Sequence, residues 1–493
     1  MAERKSSNFF AHTARYAVGN VIRHVVGFAM LPIYTRFLSP ADYGVLALLT
    51  LGLALVEPVF GARLSMALPK FYFESQEEKA RRATIWTAVC LTGLVSALSM
   101  SLLVIFRGNG AVALFGDPKY AGAFGIFAVN LLTRPLEDTG MMYLRIHERS
   151  GMFLGVSVLK LALQLTLNVV LVVYLEEGVV GAILSGVISS VMIGGALTAY
   201  IAVHEAPTFD LKIIKKMLKF SWPLWMAGFG GLYVGSSGGM YLRVFDSLSD
   251  VGRLELALKF ATAVSMLVWS PFSQQWVPLS YRIYRDGNSS AMFQVAFVSV
   301  AAAIFIGGLG VSIFAGPVIG LMAARPFYAA AGAVPLLTLG FIFNDLRSFF
   351  NFGFFVTDNT KIGGLCQYVM AAAITVAYFV LIPRYGLMGA AWGQCMAFCV
   401  GFIYTSALSR RFFDPGIRFR PMVIFIFISV TAYILSELVR RNHAIAFVLA
   451  ARSVIYIVGV SIIVAVAVRA IAKVDASLLQ RLPRPLAGLA RLV

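Results

Sequence analysis

"YTRFLSPADYG" runs from Tyr34 to Gly44, and "YLRVFDSLSDVG" runs from Tyr241 to Gly252. Each is a short polar connector, carrying an arginine and an aspartate, set between long apolar runs. A connector written twice implies a duplicated unit, and a shift of the chain by 208 residues tests the idea. Asp42 and Gly44 fall on Asp250 and Gly252, Leu46 and Leu48 on Leu254 and Leu256, and Pro118 and Tyr120 on Pro326 and Tyr328. Further along, Glu137 falls on Asp345, Gly155 on Gly363, and Gly178, Gly181 and Ala182 on Gly386, Gly389 and Ala390. One offset that aligns Pro, Asp and Tyr at distant connectors is more than leucine-rich runs share by composition.

The composition says what is duplicated. The 493 residues are 59% hydrophobic and 13% charged, with a mean hydropathy of +0.82. A soluble chain is about half apolar and a quarter charged. No polar block is large enough for a soluble domain, so the chain reads as a polytopic membrane protein. A helix crossing the hydrocarbon layer needs about 20 residues. Runs of that kind fall at 14–33, 44–66, 84–106, 120–144, 152–174, 179–202, 218–241, 253–276, 291–315, 328–352, 363–382, 387–408, 421–439 and 444–470. Two connectors, Glu176–Gly178 and Pro383–Gly386, are so tight that each flanking pair reads almost as one segment. Membrane strands would alternate over about ten residues, and these runs are continuous. Arg23 and His24 interrupt what would otherwise be the apolar part of a cleavable leader, so the first run is expected to stay as a span.

Net charge is +18. With the N-terminus inside, cytoplasmic segments hold 24 basic residues and the opposite face holds 9. The positive-inside rule therefore expects both termini in the cytoplasm of a cell inner membrane. The charge is an orientation signal and a contact for anionic membrane lipids, and no nucleic acid is expected. Cys90, Cys366, Cys395 and Cys399 all lie inside apolar runs, where no disulfide is expected. Cys395 and Cys399 are one turn apart but lack the histidines or carboxylates that complete a tetrahedral site, so neither metal nor cofactor is expected.

The expected fold is all-α, with about fourteen transmembrane helices: two parallel six-helix repeats plus two C-terminal helices. The domains are 1–207, an N-terminal six-helix lobe; 208–415, a second lobe beginning with a basic interfacial linker; and 416–493, two extra spans and a cytoplasmic tail. Six spans per repeat is even, so both repeats enter the membrane in the same sense, related by an axis along the membrane normal. The linker "LKIIKKMLKF", Leu211–Phe220, reads as a helix on the cytoplasmic interface. Gly231, Gly235 and Gly239 recur every fourth residue, which suits close helix packing or a bending point.

Charges inside spans cost about 2.5–3.5 kcal/mol each near a helix centre, so they need partners, water or a nearby end. Arg134, Glu137 and Asp138 are spaced to pair along one helix, and Glu255 with Lys259 likewise. Asn20, Arg23 and His24 share a face of the first span with no neutralising acid, and Arg15 lies one to two turns nearer the cytoplasm. Lys160, Gln164 and Asn168 form a second polar stripe in the fifth span. Together these seven are the expected substrate-binding residues, lining a basic cavity that favours an anionic, phosphate-bearing solute. Glu57 and Asp138 are the candidate coupling acids, for proton or sodium.

An N-terminal span followed by "PIYTRFLSPADYG", Pro32–Gly44, resembles the opening of polysaccharide-type, Wzx-like flippases of the multidrug/oligosaccharidyl-lipid/polysaccharide superfamily. "GVVGA", Gly178–Ala182, and "GLMGA", Gly386–Ala390, are similar to that family's G-[VL]-x-G-A turns. The resemblance implies twelve core helices in two lobes around a cavity. It implies a substrate of undecaprenyl-pyrophosphate-linked oligosaccharide, moved from the cytoplasmic to the outer leaflet by alternating access. Lipopolysaccharide or exopolysaccharide assembly would follow, with a polysaccharide polymerase or glycosyltransferases as partners. The two extra spans resemble the fourteen-helix lipid II flippases. The alternative is a cation-coupled multidrug exporter of the same superfamily. An enzyme is not expected: the outer loops, about 3–14 residues long, are too short for a catalytic domain, and "HERSG", His147–Gly151, lacks the second histidine of a zinc helix.

Overall fold

The structure, a computed structural model, describes residues 28, 30–60, 64–74, 77–208, 211–285, 289–357, 359–439 and 445–474. Every regular element among them is helical. The α-helices are α1 (Leu31–Phe37), α2 (Pro40–Phe60), α3 (Leu64–Glu74), α4 (Glu78–Ile105), α5 (Arg107–Phe115), α6 (Ala121–Ala128), α7 (Asn130–Ile146), α8 (Ser150–Asn168) and α9 (Gly178–His204). There follow α10 (Leu211–Ser236), α11 (Gly238–Phe245), α12 (Leu248–Val264), α13 (Ser270–Arg285), α14 (Ser289–Met322), α15 (Ala330–Val356), α16 (Thr360–Ser409), α17 (Arg420–Leu438) and α18 (Ile445–Ala472). The protein is a multi-pass membrane protein: eight described helices are long and apolar enough to cross a bilayer. One of them, 361–409, carries two of the expected spans. The run 14–33 lies mostly outside the described residues. Among the described residues three other expected spans are interrupted, at Val129, at Ser237 and by a π-helical turn, Ser265–Trp269; the run 152–174 ends in a second π-helical turn, Val169–Tyr174, and residues 61–63 lie outside the described residues.

The repeat is visible in backbone detail. Ser39 Oγ donates to Asp42 Oδ2 at 2.7 Å while Asp42 N donates to Ser39 Oγ at 3.2 Å. At the equivalent place Ser247 Oγ donates to Asp250 Oδ2 at 3.4 Å, and Asp250 N donates to Ser247 Oγ at 3.2 Å. Each serine caps the backbone N–H of its aspartate, and at the first site Ser39 N also donates to Asp42 Oδ2 at 3.2 Å, completing a capping box; S-x-x-D therefore opens both α2 and α12. The two tight connectors also match. Gly178 and Gly386 each have φ of 52°, in the left-handed region that favours glycine. Three residues on, a Cβ on Gly181 would stand 2.9 Å from Leu171 O, and one on Gly389 would stand 2.2 Å from Leu381 O. The first glycine of G-x-x-G turns the chain, and the second lets the outgoing helix lie against the incoming one. Single 3-10 turns, Pro118–Tyr120 and Arg325–Phe327, precede α6 and α15. In the first, Asp117 accepts from the backbone N–H of Lys119 at 2.9 Å, which holds its carboxyl below the usual range.

Two compact units divide the chain, Met1–Gly252 and Arg253–Val493. Compactness cuts later than the duplication because α10 and α11 pack on α2, α3 and α4 within the first unit. The linker stretch is the start of α10 rather than a separate surface helix: Met217 is fully buried in a cluster with Leu68, Tyr143, Phe153 and Leu197, while Lys215, Lys216 and Lys219 stay exposed. Close packing holds for one of the three spaced glycines. Gly231 and Gly235 face open space, and Gly239 lies against Val251 and Leu48. In the second unit, stacked aromatics dominate the core, with Trp276 on Phe349 at 4.6 Å and Phe293 edge-on to Trp276 at 5.1 Å.

Candidate functional site

Helix α7 is strongly amphipathic, with a polar face along its length. Its buried side holds Leu131, Thr133, Glu137, Thr139, Met141 and Leu144, while Arg134 and Asp138 are exposed. Counting from Ala121 to Ile146, Arg134 stands about 18–20 Å of helix from either end of the span at 1.5 Å per residue. A guanidinium at that depth facing hydrocarbon would carry the full insertion cost. An exposed guanidinium at that depth calls for a polar neighbour, water or ligand, rather than hydrocarbon. Arg134 forms no hydrogen bond or ion pair with any described residue, whereas Asp138 is engaged.

The neighbouring stripe on α8 departs from expectation in two places. Lys160 Nζ lies 2.7 Å from Glu137 Oε1 and 2.5 Å from Glu137 Oε2. Its charge is neutralised across the α7–α8 contact, so Glu137 does not pair with Arg134 along its own helix. The pair is partly open, with side-chain exposures of 23% and 11%. Asn168 is 1% exposed, and its side chain is committed to the fold. Its Nδ2 donates to Gln164 O at 2.9 Å, and its Oδ1 accepts from Tyr34 Oη at 3.0 Å and Ser185 Oγ at 2.9 Å. Asn168 thus ties α1 and α9 to the point where α8 becomes the π-helical turn Val169–Tyr174, and leaves the binding set. Gln164 is half-buried beside Gly186 of α9. Arg15, Asn20, Arg23 and His24 lie outside the described residues, and so does the side chain of Glu57.

Sequence reasoning places Arg134 in an on-helix pair and so misses it as a free cation. The signal is present: Glu137 is three residues from Arg134, but it also faces α8, where Lys160 is the one cation. A second polar group is also passed over. On α15 Asp345 is 5% exposed, and its Oδ2 accepts from Ser265 Oγ at 2.6 Å, at the start of the π-helical turn. It forms no ion pair among the described residues. Two residues on, Arg347 is 4% exposed, and its Nη2 reaches only Asn344 Oδ1 at 3.3 Å. Among the described residues no three histidine, cysteine or acidic side chains stand together as metal ligands.

At one end of the first unit's helices, Glu205 accepts from Tyr143 Oη at 2.9 Å, with Arg82 Nε and His147 Nε2 each at 3.7 Å. The backbone carbonyl of Glu205 accepts from Trp86 Nε1 at 3.0 Å. His147, the histidine of "HERSG", is thereby part of a clamp that gathers α4, α7 and α9. Its Nδ1 donates to Tyr143 O at 2.9 Å, and its Nε2 lies 3.4 Å from Tyr72 Oη.

Comparison with known proteins follows this geometry. The profile of the family described as "Polysaccharide biosynthesis protein" matches residues 10–284, more than half of the chain. The structure is similar to that of "Lipid II flippase MurJ, inward closed conformation", with a TM-score of 0.76 at 14% identity, over 92% of this chain and 98% of that one. It is similar to the "Inward-facing conformation of a multidrug resistance MATE family transporter of the MOP superfamily", with a TM-score of 0.60 at 14% identity, over 79% and 95%. A third likeness is to the "MATE multidrug transporter DinF-BH", with a TM-score of 0.55 at 14% identity, over 83% and 96%. No curated protein matches the chain. At these identities the structural likeness establishes a shared fold, that of flippases and transporters.

Proposed function

We propose, for a chain that belongs to the polysaccharide biosynthesis protein family, that it flips a polyprenyl-pyrophosphate-linked oligosaccharide. Movement is from the cytoplasmic to the outer leaflet of the inner membrane, by alternating access, with both termini in the cytoplasm. The observation that carries the reading is Arg134, an unpaired guanidinium exposed at mid-span. A planar fork of N–H donors matches two phosphate oxygens at once, and its bonds are charge-assisted. The Lys160–Glu137 pair fixes the α7 backbone beside it, so the guanidinium is presented on a rigid helix. Gln164 supplies an amide for hydroxyl groups of the first sugar. The isoprenoid stays in lipid, and the product feeds a polysaccharide polymerase on the outer face.

The test is leaflet accessibility of a lipid-linked oligosaccharide in proteoliposomes. Arg134→Gln is expected to lower the flipping rate at least tenfold while leaving the melting temperature within about 2 °C of the parent, because an exposed residue outside the core contributes little to stability. Arg134→Lys is expected to restore part of the rate. A full rate in Arg134→Gln would overturn the assignment.

A second reading, a cation-coupled exporter, is favoured by Asp345, a buried acid bonded to a hydroxyl and to no cation among the described residues. Such an acid suits proton or sodium exchange. Dye efflux by the reconstituted protein, lost in Asp345→Asn, would support that reading; lipid-linked oligosaccharide flipping without dye efflux would oppose it.

A further inference from the structure

Within the first unit, the duplication fails at one place. Under the 208-residue offset Arg107 corresponds to Ala315, where α14 runs on unbroken to Met322. The first repeat instead breaks at Phe106, whose φ of −92° and ψ of 19° lie outside the α-helical range, and the short helix α5 sets off from Arg107. Helix α5 folds closely against α6: a Cβ on Gly110 would stand 2.7 Å from the ring of Phe124.

Beside this break lies a cavity of about 260 Å³, walled by Leu53 of α2, Leu103 of α4, Ala113 of α5, Phe127 of α6, Leu131 of α7 and Met240 of α11. Every residue that lines it is apolar or glycine. Such a space suits hydrocarbon rather than water, because a buried water needs two to four polar partners, and an apolar cavity of about 150 Å³ already holds benzene. The cavity is open, since its lining residues Ala113 and Met240 are exposed. Ile105, Phe106 and Val112, close along the chain, are exposed as well. Apolar side chains so exposed on a spanning protein mark contact with lipid.

A free cation stands at the edge of this cavity. Arg107 is exposed and forms no hydrogen bond or ion pair with any described residue. Its Cδ is 3.4 Å from where a Cβ on Gly125 would stand, next to the lining residue Phe124. Along α5 it is one turn, about 5 Å, from the lining residue Gly110. Two other cations near α5 are engaged. Arg243 Nη2 donates to Val112 O at 3.2 Å, and Lys119 Nζ lies 3.0 Å from Asp117 Oδ2.

An apolar slot beside an unengaged guanidinium is complementary to a molecule that joins a hydrocarbon chain to a phosphate. We propose that this cavity binds one acyl chain of an anionic membrane phospholipid, whose phosphate meets Arg107. A zwitterionic lipid balances its phosphate with its own amine, so the net negative headgroup is preferred. The bound lipid fills the gap left where the helix breaks and holds α5 to the bilayer. The inference does not rest on the transport reading.

The experiment is photo-crosslinking in proteoliposomes of the full chain, with phospholipids that carry a diazirine midway along one acyl chain. Phosphatidylglycerol and phosphatidylcholine probes are compared, and labelled peptides are mapped by mass spectrometry against labelling of α18 as the internal reference. Residues 103–131 are expected to take about fivefold more label from phosphatidylglycerol, the preference that one basic residue gives for an anionic headgroup. Arg107→Gln should erase that excess, and Lys119→Gln should leave it unchanged. Ala113→Phe, which fills the cavity from an exposed position, should lower labelling of this stretch at least threefold with both probes. Equal labelling by the two lipids overturns the proposal, and so does an excess that survives Arg107→Gln or labelling that ignores Ala113→Phe. Loss of the label on adding a polyprenyl pyrophosphate would assign the cavity to the transported lipid and overturn the phospholipid assignment. No substrate enters the readout, so absence of oligosaccharide flipping would defeat the flippase reading and leave this site standing.

Discussion

At the scale of single residues, the α7–α8 contact shows how a membrane interior decides which charges are free. Lys160 and Glu137 are 23 positions apart in sequence, yet their atoms approach to 2.5 Å. Removing one member leaves the other unpaired in a poorly hydrated place, at a typical cost of roughly 3–5 kcal/mol, whereas replacing both with apolar residues is often neutral. Lys160→Met is therefore expected to lower thermal stability strongly, and Lys160→Met/Glu137→Met to recover most of the loss, as read by melting in detergent. A double variant as unstable as the single one would show that the pair contributes more than mutual neutralisation. Flipping in the recovered double variant should fall less than in Arg134→Gln, because it keeps the exposed guanidinium. The stripe of Lys160, Gln164 and Asn168 was legible in the sequence as a polar helix face. Its division into an ion pair, a half-buried amide and a buried hydrogen-bond node was not. Spacing along one helix says which residues share a face, and only the neighbouring helix says whether that face meets water, a carboxylate or Tyr34.

At the scale of elements, the G-x-x-G connectors were the most legible feature of the fold. Four glycines at two sites 208 residues apart predict a turn, and the structure gives each glycine its physical task. The first of each pair has φ of 52°, which strains any residue with a Cβ, and Gly386, with ψ of −127°, lies in a region that glycine alone adopts readily. The second approaches a carbonyl, and far more closely in the second repeat: 2.2 Å at Gly389 against 2.9 Å at Gly181. Gly389→Ala is accordingly expected to destabilise more than Gly181→Ala, at the upper end of the roughly 1–3 kcal/mol typical of overpacking. Gly178→Ala and Gly386→Ala should each destabilise as well. Thermal melting of the four variants checks the order, and a Gly181→Ala variant less stable than Gly389→Ala would contradict it. Where spans are interrupted, sequence said less. Hydropathy reads through Val129 and through the π-helical turn at Ser265–Trp269 because their residues are as apolar as those around them. Whether a helix continues there depends on hydrogen-bond register, which composition does not encode.

At the scale of the whole molecule, the question is what attaches the two helices that have no counterpart in the repeat. Apolar faces have little reason to associate in lipid, where every surface is already apolar, so attachment needs polar bonds or close packing. The second unit uses both. Arg452 of α18 is 2% exposed; its Nη1 donates to Ile313 O of α14 at 2.8 Å and its Nη2 to Glu437 Oε1 of α17 at 2.9 Å. One guanidinium thus joins three helices. Around it, Gly459 of α18 admits Leu309 of α14, and Gly310 admits the ring of Tyr456. Gln294 Oε1 accepts from Arg418 N at 2.5 Å just before α17 begins, which holds the entry to the added pair. Helical spacing alone assigns Arg452 no role, because its partners lie on different helices and one is a backbone carbonyl. Their arrangement makes the added pair a docked part of the second unit rather than a loosely tethered hairpin. Arg452→Leu breaks the bonds to Glu437 and to Ile313 O, so limited proteolysis between 409 and 420 should accelerate at least tenfold at 37 °C. Equal cleavage rates in the parent and Arg452→Leu would mean that glycine-mediated packing alone holds α17 and α18 in place.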